Sequence, residues 1–271
     1  MGSSKVPCQW TMEEIEERLG VSMCAFPALP RHGAREVAAV REAGFSHIEI
    51  DGLSGCNTPT PSFDFRDRAQ IEEILTECRK QGVAVTSVHA PGSPAPGFGG
   101  DSPVYDAEDG DQRREAVRQA ITFARLAEEM GASILVAHFG GNERSERTVT
   151  EVLEQLSDSP LKLTVENVPN VPDLRDYMSL VDRVGSERFG MTVDIGHTRD
   201  SDGINPFIKR DVARRTMAQC GKRLFHLHLH DFTDGDHIAP FLGSIQWEEV
   251  FAALADTAYA GSYMFEVGPF R

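Results

Sequence analysis

Short apolar runs alternate with longer amphipathic segments along the chain. Runs at 21–26, 47–51, 83–89, 133–138, 162–166, 190–194, 224–230 and 262–266 predict eight β-strands. Helix-like segments at 34–43, 67–81, 111–130, 143–156, 172–184, 206–220 and 245–255 lie between them. In 67–81, for example, Ile71, Leu75 and Cys78 recur at helical spacing. Eight strands alternating with helices predict a (β/α)8 TIM barrel of the α/β class, a single domain over residues 1–271. A doubly wound open sheet is the alternative. It would need fewer strands, and no GxGxxG follows the first run.

Two features modify the barrel. Only five residues follow Glu266, so the reading lacks a C-terminal eighth helix. An extra N-terminal helix is predicted over 11–19, with Thr11 as N-cap, Glu14 completing a capping box and Gly20 as C-cap. Met12, Ile15 and Leu19 give it an apolar stripe, which is expected to cover the gap between the last strand and the first. The loops at 52–66 and 90–106 are long and rich in Gly, Pro and Ser, and in a barrel they rise from the carboxyl-terminal face. Their aromatics, Phe63, Phe65, Phe98 and Tyr105, read either as a lid over a substrate or as anchors of the loops themselves.

Composition narrows the function. Against 27 Lys and Arg stand 42 Asp and Glu, a net charge of −15, with no run of basic residues longer than two. Such a surface repels phosphate backbones, so nucleic acid is not the favoured partner. The five cysteines form no CxxC pair, which argues against a disulfide framework or a thiolate zinc site and for a cytoplasmic protein. The amino terminus carries no apolar run of a secretory signal, and no segment is apolar enough to cross a membrane.

Ionisable residues recur where apolar runs end. His89 closes AVTSVH, His138 closes SILVAH, Glu166 closes KLTVE, Asp194 closes MTVD, His228 lies in LFHLHLHD and Glu266 closes SYMFE. Any one of these is more often a hydrogen-bonded core residue or a helix cap than a ligand. Together they change the picture, because barrel strand ends converge on one axis. Carboxylates and imidazoles gathered there would repel or protonate, and a divalent metal resolves the conflict. Alternation puts His226, His228 and His230 on one face of the seventh strand, spread over about 13 Å, too far for one ion. That leaves His226 to fill the barrel interior and His230 to orient a neighbour.

The segments GFSHIEIDG, SVHAPG, LVAHFGG, TVENVPN, TVDIGHT, HLHDFTDGDHIAPFLGSIQW and FEVGP, in this order and at these strand ends, resemble the xylose-isomerase-like barrels. That family includes sugar and sugar-phosphate isomerases and epimerases, inosose-processing enzymes and an apurinic-site endonuclease branch. The resemblance implies a metal held by Glu166, Asp194, His228 and Glu266, with Glu166 and Glu266 also catalytic. It assigns His89, His138, His197, His237 and Glu49 to substrate binding or a second metal, Glu49 being equally readable as a buried hydrogen-bonding group.

The implied activity is a divalent-metal-dependent isomerase or epimerase acting on a sugar, sugar phosphate or cyclic polyol ketone. One carboxylate removes a proton beside a polarised carbonyl, an enediolate forms, and a proton returns to the other face or the neighbouring carbon. Three carboxylates and one imidazole suit manganese, magnesium or cobalt, with zinc as the alternative. The partner is then a small-molecule carbohydrate, and a homo-oligomer is allowed. The rival is a metal-dependent phosphodiesterase like the endonuclease branch, which usually carries an Asp two residues before its last histidine; here that position is Gly235. The ketohexose 3-epimerases place an Arg shortly after the strand-seven His, and here LHDFTDGDH has none. A non-catalytic ligand-binding barrel is the third reading, and it gives no reason for both glutamates.

Overall fold

The computed structural model describes residues 11–27, 31–52, 62–91, 105–168, 174–200, 202, 204–233, 235 and 237–268. Eight parallel strands close into a barrel in chain order: β1 (Leu19–Ser22), β2 (His47–Asp51), β3 (Ala84–His89), β4 (Ile134–Ala137), β5 (Lys162–Glu166), β6 (Phe189–Asp194), β7 (Leu224–Leu229) and β8 (Tyr263–Phe265). The seam between β8 and β1 is paired through Gly20 and Met264. A Cβ at Gly20 would approach His47 Cβ of β2 to 2.9 Å, so the close approach of β1 to β2 favours glycine there.

A short helix α1 (Met12–Glu16) precedes β1. Seven helices alternate with the strands: α2 (Ala34–Glu42), α3 (Arg68–Gln81), α4 (Gly110–Glu129), α5 (Glu143–Gln155), α6 (Leu174–Val184), α7 (Ala213–Ala218) and α8 (Trp247–Asp256). Local signals set their limits. Asp67 caps α3 by accepting from the Gln70 N–H, and Gly82 ends it in the left-handed region at φ 67°. Asn142 caps α5 in the same way, accepting from the N–H groups of Arg144 and Ser145. Each helix buries one stripe, such as Ile71, Ile74 and Cys78 of α3 or Val149, Val152 and Leu153 of α5, against the outside of the strands.

The lumen is different. Ser87, Thr164, Thr192 and His226 are fully buried inside it, and the Thr192 hydroxyl donates to Thr164 Oγ1 at 2.7 Å. The register shifts twice, between Ile48 and Glu49 against β3 and between Met191 and Thr192 against β7. Both irregularities lie below the functional residues, where bulges re-aim side chains.

Several expected boundaries move. β1 starts at Leu19, and the apolar stretch Met23–Ala25 tightens into a 3-10 turn. Gly20 is therefore a strand residue rather than a helix cap. The capping box of α1 is present, with Thr11 Oγ1 accepting from the Glu14 N–H and Glu14 Oε2 from the Thr11 N–H. Its Glu13, Glu14 and Glu16 are exposed, and Ile15 of the expected apolar stripe is half-buried. The seam is tied by Arg18, whose Nε donates to Gly261 O at 2.9 Å and whose guanidinium lies over the Tyr263 ring. Among the described residues no helix follows β8. The helix expected at 206–220 breaks into a 3-10 turn at Pro206–Ile208, α7, and a second turn at Gly221–Arg223, because Asp211 takes φ 60°.

Phe63 and Tyr105 are buried and Phe65 is half-buried. The Phe65 ring packs on Phe123 at 5.1 Å and Tyr105 on Phe139 at 4.6 Å. These aromatics anchor their loops, and the lid reading does not hold for them; Phe98 lies outside the described residues.

Candidate metal centre

The strand ends bring Glu166, Asp194, His228 and Glu266 together. Each offers one ligand atom, and the four atoms lie within 4.8 Å of one another in a buried site. Ligands at roughly 2.1–2.4 Å from one cation fall within that span. His228 Nδ1 sits 3.0 Å from Glu266 Oε2, 3.2 Å from Glu166 Oε1 and 3.9 Å from Asp194 Oδ2. Glu266 Oε2 is buried and makes no hydrogen bond. An orphaned buried carboxylate oxygen facing two other carboxylates is what a cation would satisfy, so these residues fit a divalent metal.

The other face of His228 fixes its orientation. Its Nε2 donates to Glu49 Oε2 at 3.1 Å, leaving Nδ1 for the carboxylate cluster. Glu49 Oε2 also accepts from Ser87 Oγ at 2.8 Å and from His226 Nε2 at 3.2 Å. The Glu49–Ser87 pairing follows directly from the shift in the β2–β3 register. Burial opposes the Glu49 charge, but His228 and His226 outweigh it and hold the carboxyl well below the usual carboxylate range. Burial pushes the His226 imidazole down, consistent with a neutral ring donating from Nε2. Glu49 thus lies beneath the ligand set, as a partner of His228.

Asp194 is held by its surroundings. Its backbone N–H donates to Asn167 Oδ1 at 2.9 Å, its Oδ1 accepts from the His197 N–H at 2.7 Å, and its Oδ2 accepts from His230 Nε2 at 3.0 Å. Burial works against its charge, yet His197 and His230 keep the carboxyl below its ordinary value.

The upper rim carries His89, His138, His197 and His237. His89 Nε2 lies 2.8 Å from Glu166 Oε2, while its Nδ1 donates to Ala90 O at 2.8 Å. With Nδ1 committed, Nε2 faces the carboxylate only as an imidazolium or as a ligand. Burial opposes the charged form, but Glu166 raises the imidazole to about 10. His138 Nε2 is 3.3 Å from Glu166 Oε2, and His237 Nε2 is 3.8 Å from Glu266 Oε2. His197 Nδ1 lies 3.2 Å from Asp194 Oδ2; burial opposes its charge and Asp194 raises it to about 9. Glu166, buried among these rings, is held well below the usual carboxylate range against its burial, chiefly by His228 and His138.

All nine site residues expected from the sequence meet at this end of the barrel. The histidines His32 and His47 do not: they bond to Pro27 O and to Glu17 O elsewhere. Asn167, Ser87 and Asp231 had no assigned role. Asn167 and Asp231 stand inside the segments TVENVPN and HLHDFTDGDHIAPFLGSIQW, beside the residues they orient. A further group, His197, His230 and His237, can also bring one nitrogen each within 4.8 Å. His230 has both nitrogens engaged, Nε2 by Asp194 and Nδ1 by the His237 N–H at 2.8 Å.

Comparisons with known proteins agree with this architecture. MJ1311, an uncharacterized protein of Methanocaldococcus jannaschii, is 26% identical over 280 residues, covering 93% of this chain and 84% of its own. The D-psicose 3-epimerase of Clostridium cellulolyticum H10, solved with D-tagatose, matches with a TM-score of 0.73 at 18% identity, covering 93% of this chain and 85% of that one. An AP endonuclease, family 2, from Brucella melitensis matches at 0.69 and 16% identity over 94% of each chain. A model of the xylose isomerase-like TIM barrel matches residues 37–269, nearly the whole described barrel. The chain belongs to the xylose isomerase-like TIM barrel family.

Proposed function

We propose that the protein is a divalent-metal-dependent isomerase or epimerase of a sugar, sugar phosphate or cyclic polyol ketone. The observation that carries this reading is the pair Glu166 and Glu266. They come from non-adjacent strand ends and approach the same nitrogen, His228 Nδ1, at 3.2 and 3.0 Å. Similarity to a D-psicose 3-epimerase and to the 3-keto-D-glucoside 4-epimerase YcjR of E. coli supports it at the level of fold.

Glu166, Asp194, His228 and Glu266 would hold the ion, which when bound polarises a carbonyl and its neighbouring hydroxyl. Glu166 and Glu266 would form the proton-transfer pair, Glu166 through Oε2, which His89 Nε2 contacts at 2.8 Å and His138 Nε2 at 3.3 Å. One takes the proton from the carbon beside the carbonyl, and the other delivers a proton from the opposite side. His138, His197 and His237 line the open side, where they bind and orient substrate hydroxyls.

A second reading, metal-assisted phosphodiester hydrolysis, is favoured by one observation: His89, His138 and Glu166 meet on the flank of the ligand set. The engaged nitrogens of His230 and the acidic charge weigh against it. Wild-type protein loaded with Mn2+ is incubated in heavy water with a panel of ketoses, aldoses and inososes. Deuterium should enter a carbon next to the carbonyl of the true substrate. Glu166→Gln and Glu266→Gln should each reduce that exchange by about 100-fold or more, because an amide is no base near neutral pH. Cleavage of an abasic-site duplex with no exchange in any panel member would reverse the two readings.

A further inference from the structure

The loop after β7 returns over the centre and carries His237. It is fixed by two consecutive, fully buried residues, His230 and Asp231. His230 donates from Nε2 to Asp194, and its Nδ1 accepts the main-chain N–H of His237 at 2.8 Å; the two imidazoles stack at 4.4 Å. The Asp231 carboxylate accepts four donors. Oδ1 takes the N–H groups of Phe232 at 2.8 Å and Ile245 at 3.0 Å. Oδ2 takes the Phe241 N–H at 3.0 Å and the Trp247 indole N–H at 2.7 Å. Its backbone pairs antiparallel with Ile238, closing the segment into a ring.

Two non-glycine residues of this loop sit in the left-handed region, His237 at φ 56° and Phe241 at φ 71°. Such strain persists only where surrounding bonds over-determine it. The N–H of the first is held by His230 and that of the second by Asp231. Room for both side chains is provided by glycine: a Cβ on Gly196 would collide with the His230 ring, and one on Gly243 with the Asp231 carboxylate.

We infer that His230 and Asp231 form a clasp that seats the β7 loop on the metal centre, His230 fixing the ligand Asp194 with one nitrogen and His237 with the other. Both are positioning residues. The inference rests on the proposed metal centre, but its two halves can be read without turnover.

The two nitrogens of His230 can be separated by substitution. In His230→Asn the amide oxygen replaces Nδ1 and keeps the loop, while the donor to Asp194 is lost. In His230→Gln the amide nitrogen replaces Nε2 and keeps Asp194, while the acceptor for His237 is lost. Mn2+ affinity is measured from the free-ion paramagnetic resonance signal, and loop order from amide hydrogen exchange of residues 231–247, with α4 as the internal control. His230→Asn should weaken Mn2+ binding about 10–100-fold, the usual cost of losing an outer partner of a ligand, with loop exchange unchanged. His230→Gln should bind Mn2+ within about threefold of wild type, a change small against that cost, and exchange the loop at least about tenfold faster. Asp231→Asn should speed loop exchange in the same way. Wild-type affinity in His230→Asn, or wild-type loop exchange in both His230→Gln and Asp231→Asn, would overturn the clasp. Should the sugar panel give no deuterium exchange, the proposed activity fails while these two measurements still decide the clasp.

Discussion

The floor and the rim of the centre are built from the same residue types to different standards. On the floor, Glu49, Ser87, His226 and the inner edge of His228 are fully buried and joined by contacts of 2.8 to 3.2 Å. On the rim, His138 and His237 remain 28% and 32% exposed, and their contacts to Glu166 and Glu266 stretch to 3.3 and 3.8 Å. A carboxylate–imidazole pair closed off from water orients a ligand, and one left open has capacity to spare for a substrate. The same chemistry thus does two jobs according to depth.

The comparison breaks most severely at Glu49. Glu49→Ala leaves the N–H groups of His226 and His228 buried without their acceptor, and should cost about 3–5 kcal/mol in denaturant unfolding, as other broken buried pairs do. Glu49→Gln keeps the shape and should instead lower Mn2+ affinity about 10–100-fold. A Glu49→Ala protein as stable as wild type would mean that the floor bonds orient nothing.

Rim substitutions should separate the two jobs. His138→Asn and His237→Asn are expected to change unfolding free energy by less than about 0.5 kcal/mol. Each should reduce kcat/KM for the substrate found by deuterium exchange about tenfold, the worth of one charge-assisted hydrogen bond. Stability losses matching those of Glu49→Ala would erase the distinction between depths.

The smallest expected effect is in pH dependence, where the buried His226 differs in sign from the imidazoles that face the carboxylate ligands. In metal-free protein the His89 and His197 imidazoles are raised to about 10 and about 9, in each case against burial, by Glu166 and Asp194 respectively. Their contribution to stability is therefore complete below the ordinary imidazole value near 6.5 and is lost as pH rises through 9 and 10. His226 is lowered by burial, so its effect runs the other way: stability falls as pH drops below about 6.5. The melting temperature of metal-free protein should decline between pH 7 and 10, and Mn2+ loading, which replaces the protons, should flatten that decline.

Most of the centre was legible because an apolar run ending in an ionisable residue is costly unless something at the barrel axis compensates it. That logic picked out Glu166, Asp194, His228 and Glu266 along with His89 and His138 as groups that meet, and the family resemblance singled out the four as ligands. It could not give Glu49 its place below the ligands, which depends on a register shift that no residue pattern signals. Nor could it find the role of Asp231, whose donors are drawn from Phe232 to Trp247 along an irregular loop. β1 was misplaced because Met23–Ala25 is as apolar as a strand, while its backbone turns. The α1 stripe was overextended for a related reason: it included Leu19, which belongs to β1.

Gly196 and Gly243 carry a consequence for inheritance. At Gly196 every close neighbour of an added Cβ belongs to the His230 ring, whereas at Gly243 the Phe232 backbone carbonyl stands as near as the Asp231 carboxylate carbon, each at 2.6 Å. A lineage that replaces His230 with a smaller residue is released from glycine at position 196, whereas one that abandons Asp231 is still held to glycine at 243 by the Phe232 carbonyl. The reverse order is closed, since a Cβ at either glycine drives out a side chain already bonded on its other edges. Positions 196 and 230 should therefore drift as a linked pair with His230 the first to change, while glycine at 243 persists whatever stands at 231.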